Sequence, residues 1–177
     1  MELRHEMDRL ERWRLRMVLP LVRGRLCDIG CGYNNLVRNY RGPGVGVDVH
    51  PWPGCDQVIR DASKLPFEND SFDTVTALAC LNHFPDRVMA LREMRRVLRP
   101  DGRLVFTMIG PWTGIVAHIL FRHDESERGG LGQGEKVGLS RREISGLLKE
   151  SGFVLVQRIP FQLGLNGVYV ASKSADS

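Results

Sequence analysis

A chain of 177 residues fits one domain with one hydrophobic core and has no room for a second of similar size. With 42% hydrophobic and 26% charged residues it has the composition of a globular protein, which sets aside disordered and fibrous classes. The formal net charge is +4, carried mostly by arginines interleaved with acids, so the clustered basic footprint of a nucleic-acid binder is missing.

Residues Met1 to Glu11 are charged throughout and lack the apolar core of a secretion signal. No run of about 18 apolar residues occurs. The expectation is a cytoplasmic protein. Cys27, Cys31, Cys55 and Cys80 show no paired CxxC spacing and read as free thiols rather than a disulfide frame or zinc site.

In chain order, Leu3, Met7, Leu10, Trp13 and Met17 recur at helical spacing, predicting a helix over 2–19 that stops at Pro20. It packs on the sheet or closes over a substrate. A strand over 25–29 then runs into a glycine-rich turn, and a short helix follows over 34–40. Strands are expected over 44–49, 57–60 and 72–78. The segment 85–98 reads as a helix, with Val88, Leu91, Met94, Val97 and Leu98 on one face. Arg99-Pro100-Asp101-Gly102 reads as a turn, and 103–109 as a strand. A short amphipathic helix is expected over 112–120, and a polar, glycine-rich stretch from His123 to Gly138. Ser140 caps a further helix to Glu150, with Glu143 at the capping-box offset. Strands over 153–160 and 168–172 close the chain, separated by Gly164-Leu165-Asn166-Gly167, in which Asn166-Gly167 signals a tight hairpin turn.

Strands alternating with helices imply a three-layer, Rossmann-like α/β fold. Its open twisted sheet is mostly parallel and ends in an antiparallel hairpin at one edge. One domain, 1–177, is expected. Its parts are an N-terminal helix (1–22), a cofactor-binding core (23–110), and a variable substrate-side region with the hairpin (111–177).

The chemistry concentrates at Leu26-Cys27-Asp28-Ile29-Gly30-Cys31-Gly32. In an open α/β sheet ligands bind beyond the carboxyl ends of the strands, where such a turn lies. Asp48 ends the next strand, twenty residues after Asp28, where an acid accepts ribose hydroxyls. A dinucleotide site usually carries a third glycine at the sixth position, and here that position is Asn35. Asp28 directly before the glycines would repel a pyrophosphate and attract a cation. The pattern favours S-adenosylmethionine (SAM), which has no phosphate but an ammonium and a sulfonium, over a nicotinamide dinucleotide.

With these segments stand 46–48, Asp61-Ala62-Ser63-Lys64-Leu65-Pro66-Phe67, Ser71-Phe72-Asp73-Thr74-Val75 and the stretch from Arg92 to Leu104. In order and spacing they resemble the class I SAM-dependent methyltransferase family, in its small methyltransferase-11-like branch. The resemblance covers about residues 25 to 107. It implies that Asp28, Gly30 and Gly32 hold the methionine part of SAM. It gives Asp48 to the ribose, Val49 and the Ala62 backbone to the neighbourhood of the adenine, and Asp61 to the adenine amino group. Leu78 and Ala79 line the methyl donor. Asp73 takes a structural role. One departure is Tyr33-Asn34-Asn35, where the family often has glycine or a small residue.

Methyl transfer is a direct displacement, so the protein aligns the reactants and excludes water. A base is needed only where the acceptor must lose a proton. The candidate is His83, which follows the fourth strand, with Asn82 beside it to position substrate. No metal is expected, because His123-Asp124-Glu125 are adjacent residues without a distant partner. The acceptor is expected to be a small molecule, lipid or glycan. Readings as a nicotinamide oxidoreductase, a non-catalytic partner subunit, or an RNA or protein methyltransferase compete with it. The stretch Ala79-Cys80-Leu81-Asn82 lacks the Asn-Pro-Pro-Tyr pattern suited to base or amide nitrogen.

Overall fold

The computed structural model describes residue 7 and residues 9–110 and 138–175. The helix expected over 112–120 and nearly all of the stretch 123–138 lie outside the described residues.

Seven strands form one sheet: β1 (Leu26–Ile29), β2 (Gly44–Asp48), β3 (Gln57–Val58), β4 (Phe72–Leu78), β5 (Leu98–Ile109), β6 (Phe153–Phe161) and β7 (Asn166–Lys173). Their order is β3-β2-β1-β4-β5-β7-β6. The first five are parallel, and β7 runs antiparallel to both β5 and β6. The sheet order turns back between β1 and β4, so a crevice opens at the carboxyl end of β1.

Helices cover both faces. On one face α3 (Arg87–Val97) and α4 (Arg141–Glu150) pack over Val75, Ala77, Leu104, Phe106 and Ala171. On the other, α1 (Arg9–Val18) and α2 (Asn35–Asn39) cover Leu26, Val105, Val168 and Val170 through Leu15, Val18 and Leu36. Alternate residues of each strand feed opposite cores, as the pleat requires. Each fully buried Val, Leu or Phe among them contributes about 1.5–3 kcal/mol.

Local signals in the sequence set the helix starts. Ser140 Oγ accepts from the Glu143 amide at 3.3 Å, and Glu143 Oε2 accepts from the Ser140 amide at 2.9 Å, completing the capping box of α4. Asp86 caps α3 by accepting from the Met89 amide.

Two expected turns are corrected. The stretch Arg99–Gly102 belongs to β5, as an excursion where the register advances from Phe72 to Thr74 on β4 and from Leu98 to Arg103 on β5. Arg99 holds it by an ion pair to Asp73 at 2.7 Å, which the Pro-Asp-Gly signal does not reveal. The hairpin turn is not Asn166-Gly167, which pair with Phe161 and Pro160 inside the ladder. The reversal uses residues 162–165, with positive φ at Gln162, Leu163 and Gly164. Asn166 is drawn into the ladder because it is buried, where its Nδ2 donates to Gln162 Oε1 and its Oδ1 accepts from the Gly167 amide. The first helix ends at Val18, and Pro20 sits within a 3₁₀ turn, Leu19–Leu21.

Candidate functional site

Asp28 lies in β1 with Leu26 on its side of the pleat, facing the layer of α1. It is 3% exposed, in register with Thr76 of β4. Thr76 Oγ1 donates to Asp28 Oδ1 at 2.6 Å. Burial pushes the carboxyl up to about 7, with Asp48 adding to the rise while the Thr76 bond and the Arg14 charge oppose it. A buried acid of this kind is costly to ionise unless a cation arrives.

The chain turns directly after β1. Gly30 has φ +70°, and a Cβ there would lie 2.7 Å from Cys80 Cβ, so no larger residue fits. Gly32 is also left-handed, at φ +53°. Its amide donates to Asp48 Oδ2 at 2.9 Å, while the His50 amide donates to Oδ1 at 3.0 Å. Asp48 is thus the hinge between the glycine turn and the end of β2. Each oxygen keeps a second lone pair for a hydroxyl.

The other sequence-predicted residues ring the same crevice by topology. Val49, directly after β2, is 61% exposed and offers an open apolar wall. Asp61 is exposed, and its carboxylate accepts from the Ser63 amide and hydroxyl, which hold it below its ordinary range. Ala62 beside it is buried. Leu78 ends β4, and Ala79 follows at φ +54° with its amide donating to Thr107 Oγ1 at 3.0 Å.

Asn82 is buried and His83 exposed, in a 3₁₀ turn, Leu81–His83. Asn82 Nδ2 lies 3.1 Å from His83 Nε2. An amide nitrogen only donates, so Nε2 accepts and this bond requires the neutral tautomer protonated on Nδ1. The Asn82 carbonyl accepts from Arg87 Nη2, which anchors the turn to α3. Asp73 stays away from this group. Its Oδ2 accepts from the Arg25 amide at 2.6 Å and its Oδ1 from Arg99.

Three contributors escaped the sequence analysis. Thr76 and Thr107 are buried hydroxyls in otherwise apolar strands. Arg14 brings its charge close enough to lower the Asp28 carboxyl from α1, the helix that also docks on α2 through Glu11 and Asn35. Its signal was available, since it stands one turn before Val18, which the core buries. Among the described residues no group of three His, Cys, Asp or Glu side chains is placed to hold a metal.

Residues 27–106 match the family described as Methyltransferase domain. Over that stretch the chain carries a methyltransferase domain of the class I SAM-dependent kind. It is 32% identical over 162 residues to the 27-O-demethylrifamycin SV methyltransferase of Amycolatopsis mediterranei, covering 78% of this chain and 57% of that one. It is 28% identical over 128 residues to the demethylmenaquinone methyltransferase of Bacillus cereus, covering 64% of this chain and 54% of that one. The chain therefore spans little more than half the length of these relatives. Its fold is that of the Haloferax volcanii complex between the Trm112 methyltransferase activator and a methyltransferase, with a TM-score of 0.75 at 16% identity, over 94% of this chain and 89% of that one. The family's cofactor is SAM, and the site fits it. The Asp28 carboxyl, buried beside the glycine turn and bonded by Thr76, suits a cationic amino-acid group, which compensates its ionised form, and in that form repels a phosphate.

Proposed function

We propose that this chain transfers the methyl group of SAM to a small-molecule acceptor. The observation that carries the reading is the pair of strand-end acids, Asp28 and Asp48, joined through one glycine turn. Asp28 takes the ammonium of the methionine part, with Gly30 and Gly32 giving the backbone room. Asp48 takes the ribose hydroxyls, Val49 and Ala62 flank the adenine, and Asp61 receives its amino group. Leu78 and Ala79 border the reacting end.

SAM supplies a methyl already activated on sulfur, so no covalent enzyme intermediate is required. The chain's work is alignment and exclusion of water. Where the acceptor is a hydroxyl, its proton passes to His83 Nε2 once Asn82, which donates to that nitrogen in the resting site, turns its amide to the acceptor and frees the lone pair. Asn82 then orients the acceptor. The names of the relatives, a rifamycin and a menaquinone methyltransferase, support a small-molecule acceptor over a macromolecule. The wider class includes lipids and glycans. No helix among the described residues is long and apolar enough to cross a membrane. The reading is of one cytoplasmic domain, 1–177.

The test is transfer of labelled methyl from SAM to a panel of hydroxylated aromatics, quinones, lipids, glycans, RNA and protein. Label in a small-molecule fraction is expected. Label confined to RNA or protein would overturn the acceptor class.

A further inference from the structure

Asn34 stands two residues after Gly32, at the entry to α2. Its backbone is left-handed, φ 60° and ψ 30°, a conformation that glycine adopts freely and asparagine tolerates best among larger residues. Its side chain is 2% exposed. Nδ2 donates to the Gly54 carbonyl at 2.9 Å and to Asp56 Oδ2 at 2.8 Å. Both partners are acceptors, which fixes the orientation of the amide. Asp56 Oδ2 also accepts from the Gly46 amide at 2.8 Å, inside β2. Gly46 has no room for a side chain: a Cβ there would overlap Asn34 Oδ1 and lie 2.9 Å from Cys31 Cβ.

One buried amide therefore joins the glycine turn, the middle of β2 and the connection from 49 to 56 that leads into β3. The glycine turn carries the methionine end of the site, and that connection begins at Val49, on the adenine side. We propose that Asn34 is a positioning residue that holds these two walls at a fixed separation, with Asp56 and Gly46 as its required partners. A glycine at 34 would permit the same backbone and remove this tie, leaving the Asp48 bonds to hold the turn to the end of β2. The inference rests on the reading of this turn as the SAM site.

The test uses Asn34→Gly, Asp56→Ala, their combination, Asn34→Asp and Asn34→Asp/Asp56→Asn. Two readouts are taken on folded protein: calorimetric affinity for S-adenosylhomocysteine, and amide hydrogen exchange over residues 30–35 and 46–56. Asn34→Gly and Asp56→Ala are each expected to weaken binding about tenfold, since misplaced binding groups cost at least that. The combination should cost less than the sum of the two, because the Asn34–Asp56 bond is removed by both. Asn34→Asp sets two carboxylates together, and adding Asp56→Asn restores a donor and recovers affinity, which a merely structural role would not do. A lowered melting point with unchanged affinity in Asn34→Gly would overturn the proposal. Should the wild type itself fail to bind the nucleoside, the site reading falls, and exchange then decides this inference alone. Faster exchange on both walls in Asn34→Gly supports it, and unchanged exchange overturns it.

Discussion

Thr76 and Asp28 occupy register positions of neighbouring parallel strands, and the threonine hydroxyl donates to the carboxylate across 2.6 Å. The bond favours the ionised acid while burial opposes it more strongly, and the balance leaves the group near about 7. In an unfolded chain an aspartate titrates near about 3.9. Below that value both states are protonated and folding carries no penalty from this group. Between about 4 and 7 only the unfolded state has lost its proton, so stability falls as pH rises. Above 7 both states are ionised and the full penalty persists. Asp28→Asn should therefore gain melting temperature over the wild type at pH 8 and gain little at pH 4. An equal difference at both values would contradict the assignment.

The same group links cofactor binding to protons. An ammonium ligand favours the ionised acid, so SAM should bind more tightly at pH 8 than at pH 6 and release a proton on binding near pH 6. Titration in two buffers of different ionisation enthalpy reads that proton. Thr76→Val removes a bond that holds the carboxyl down and should move this pH dependence in the alkaline direction.

Asp48→Ala should weaken SAM binding by about 1–3 kcal/mol, because it removes a buried acceptor for the ribose hydroxyls. It also frees the Gly32 and His50 amides, so the loss extends to the whole turn. Calorimetry against S-adenosylhomocysteine checks this, and an unchanged affinity would sink the ribose assignment.

The fold was legible where one signal dominated. Alternating apolar strands and helices, the Ser140–Glu143 capping box and the Pro85–Leu98 periodicity each had a single local cause, and the structure reproduces them within a residue or two at the ends. The failures share a different cause. The Arg99–Gly102 excursion depends on Asp73, remote in sequence, and the true hairpin turn depends on left-handed Gln162 and Leu163, which carry no turn signature. Acids and glycines of the site stood out because few other roles explain them. Thr76, Thr107 and Asn34 look like ordinary strand and loop residues until their buried partners are known.

Gly30→Ala should lower the melting temperature by several degrees. The left-handed backbone costs about 1–2 kcal/mol for any residue with a Cβ, and the contact with Cys80 adds to it. A thermal melt checks this, and an unshifted transition would mean that the turn relaxes around the new methyl.

His83→Ala should leave SAM affinity unchanged and lower turnover on an acceptor found by the labelling screen, by about 10²–10⁴-fold if His83 takes the proton. A steady-state comparison checks it, and intact turnover would remove His83 from the chemistry.

The most direct measurement is calorimetric titration of the folded chain with SAM, S-adenosylhomocysteine and NAD. Binding of both sulfur nucleosides, weakened in Asp48→Ala, with no binding of NAD, is the expected result. Binding of NAD in their place, or of none of the three, would contradict the assignment of the Asp28–Asp48 turn as a SAM site.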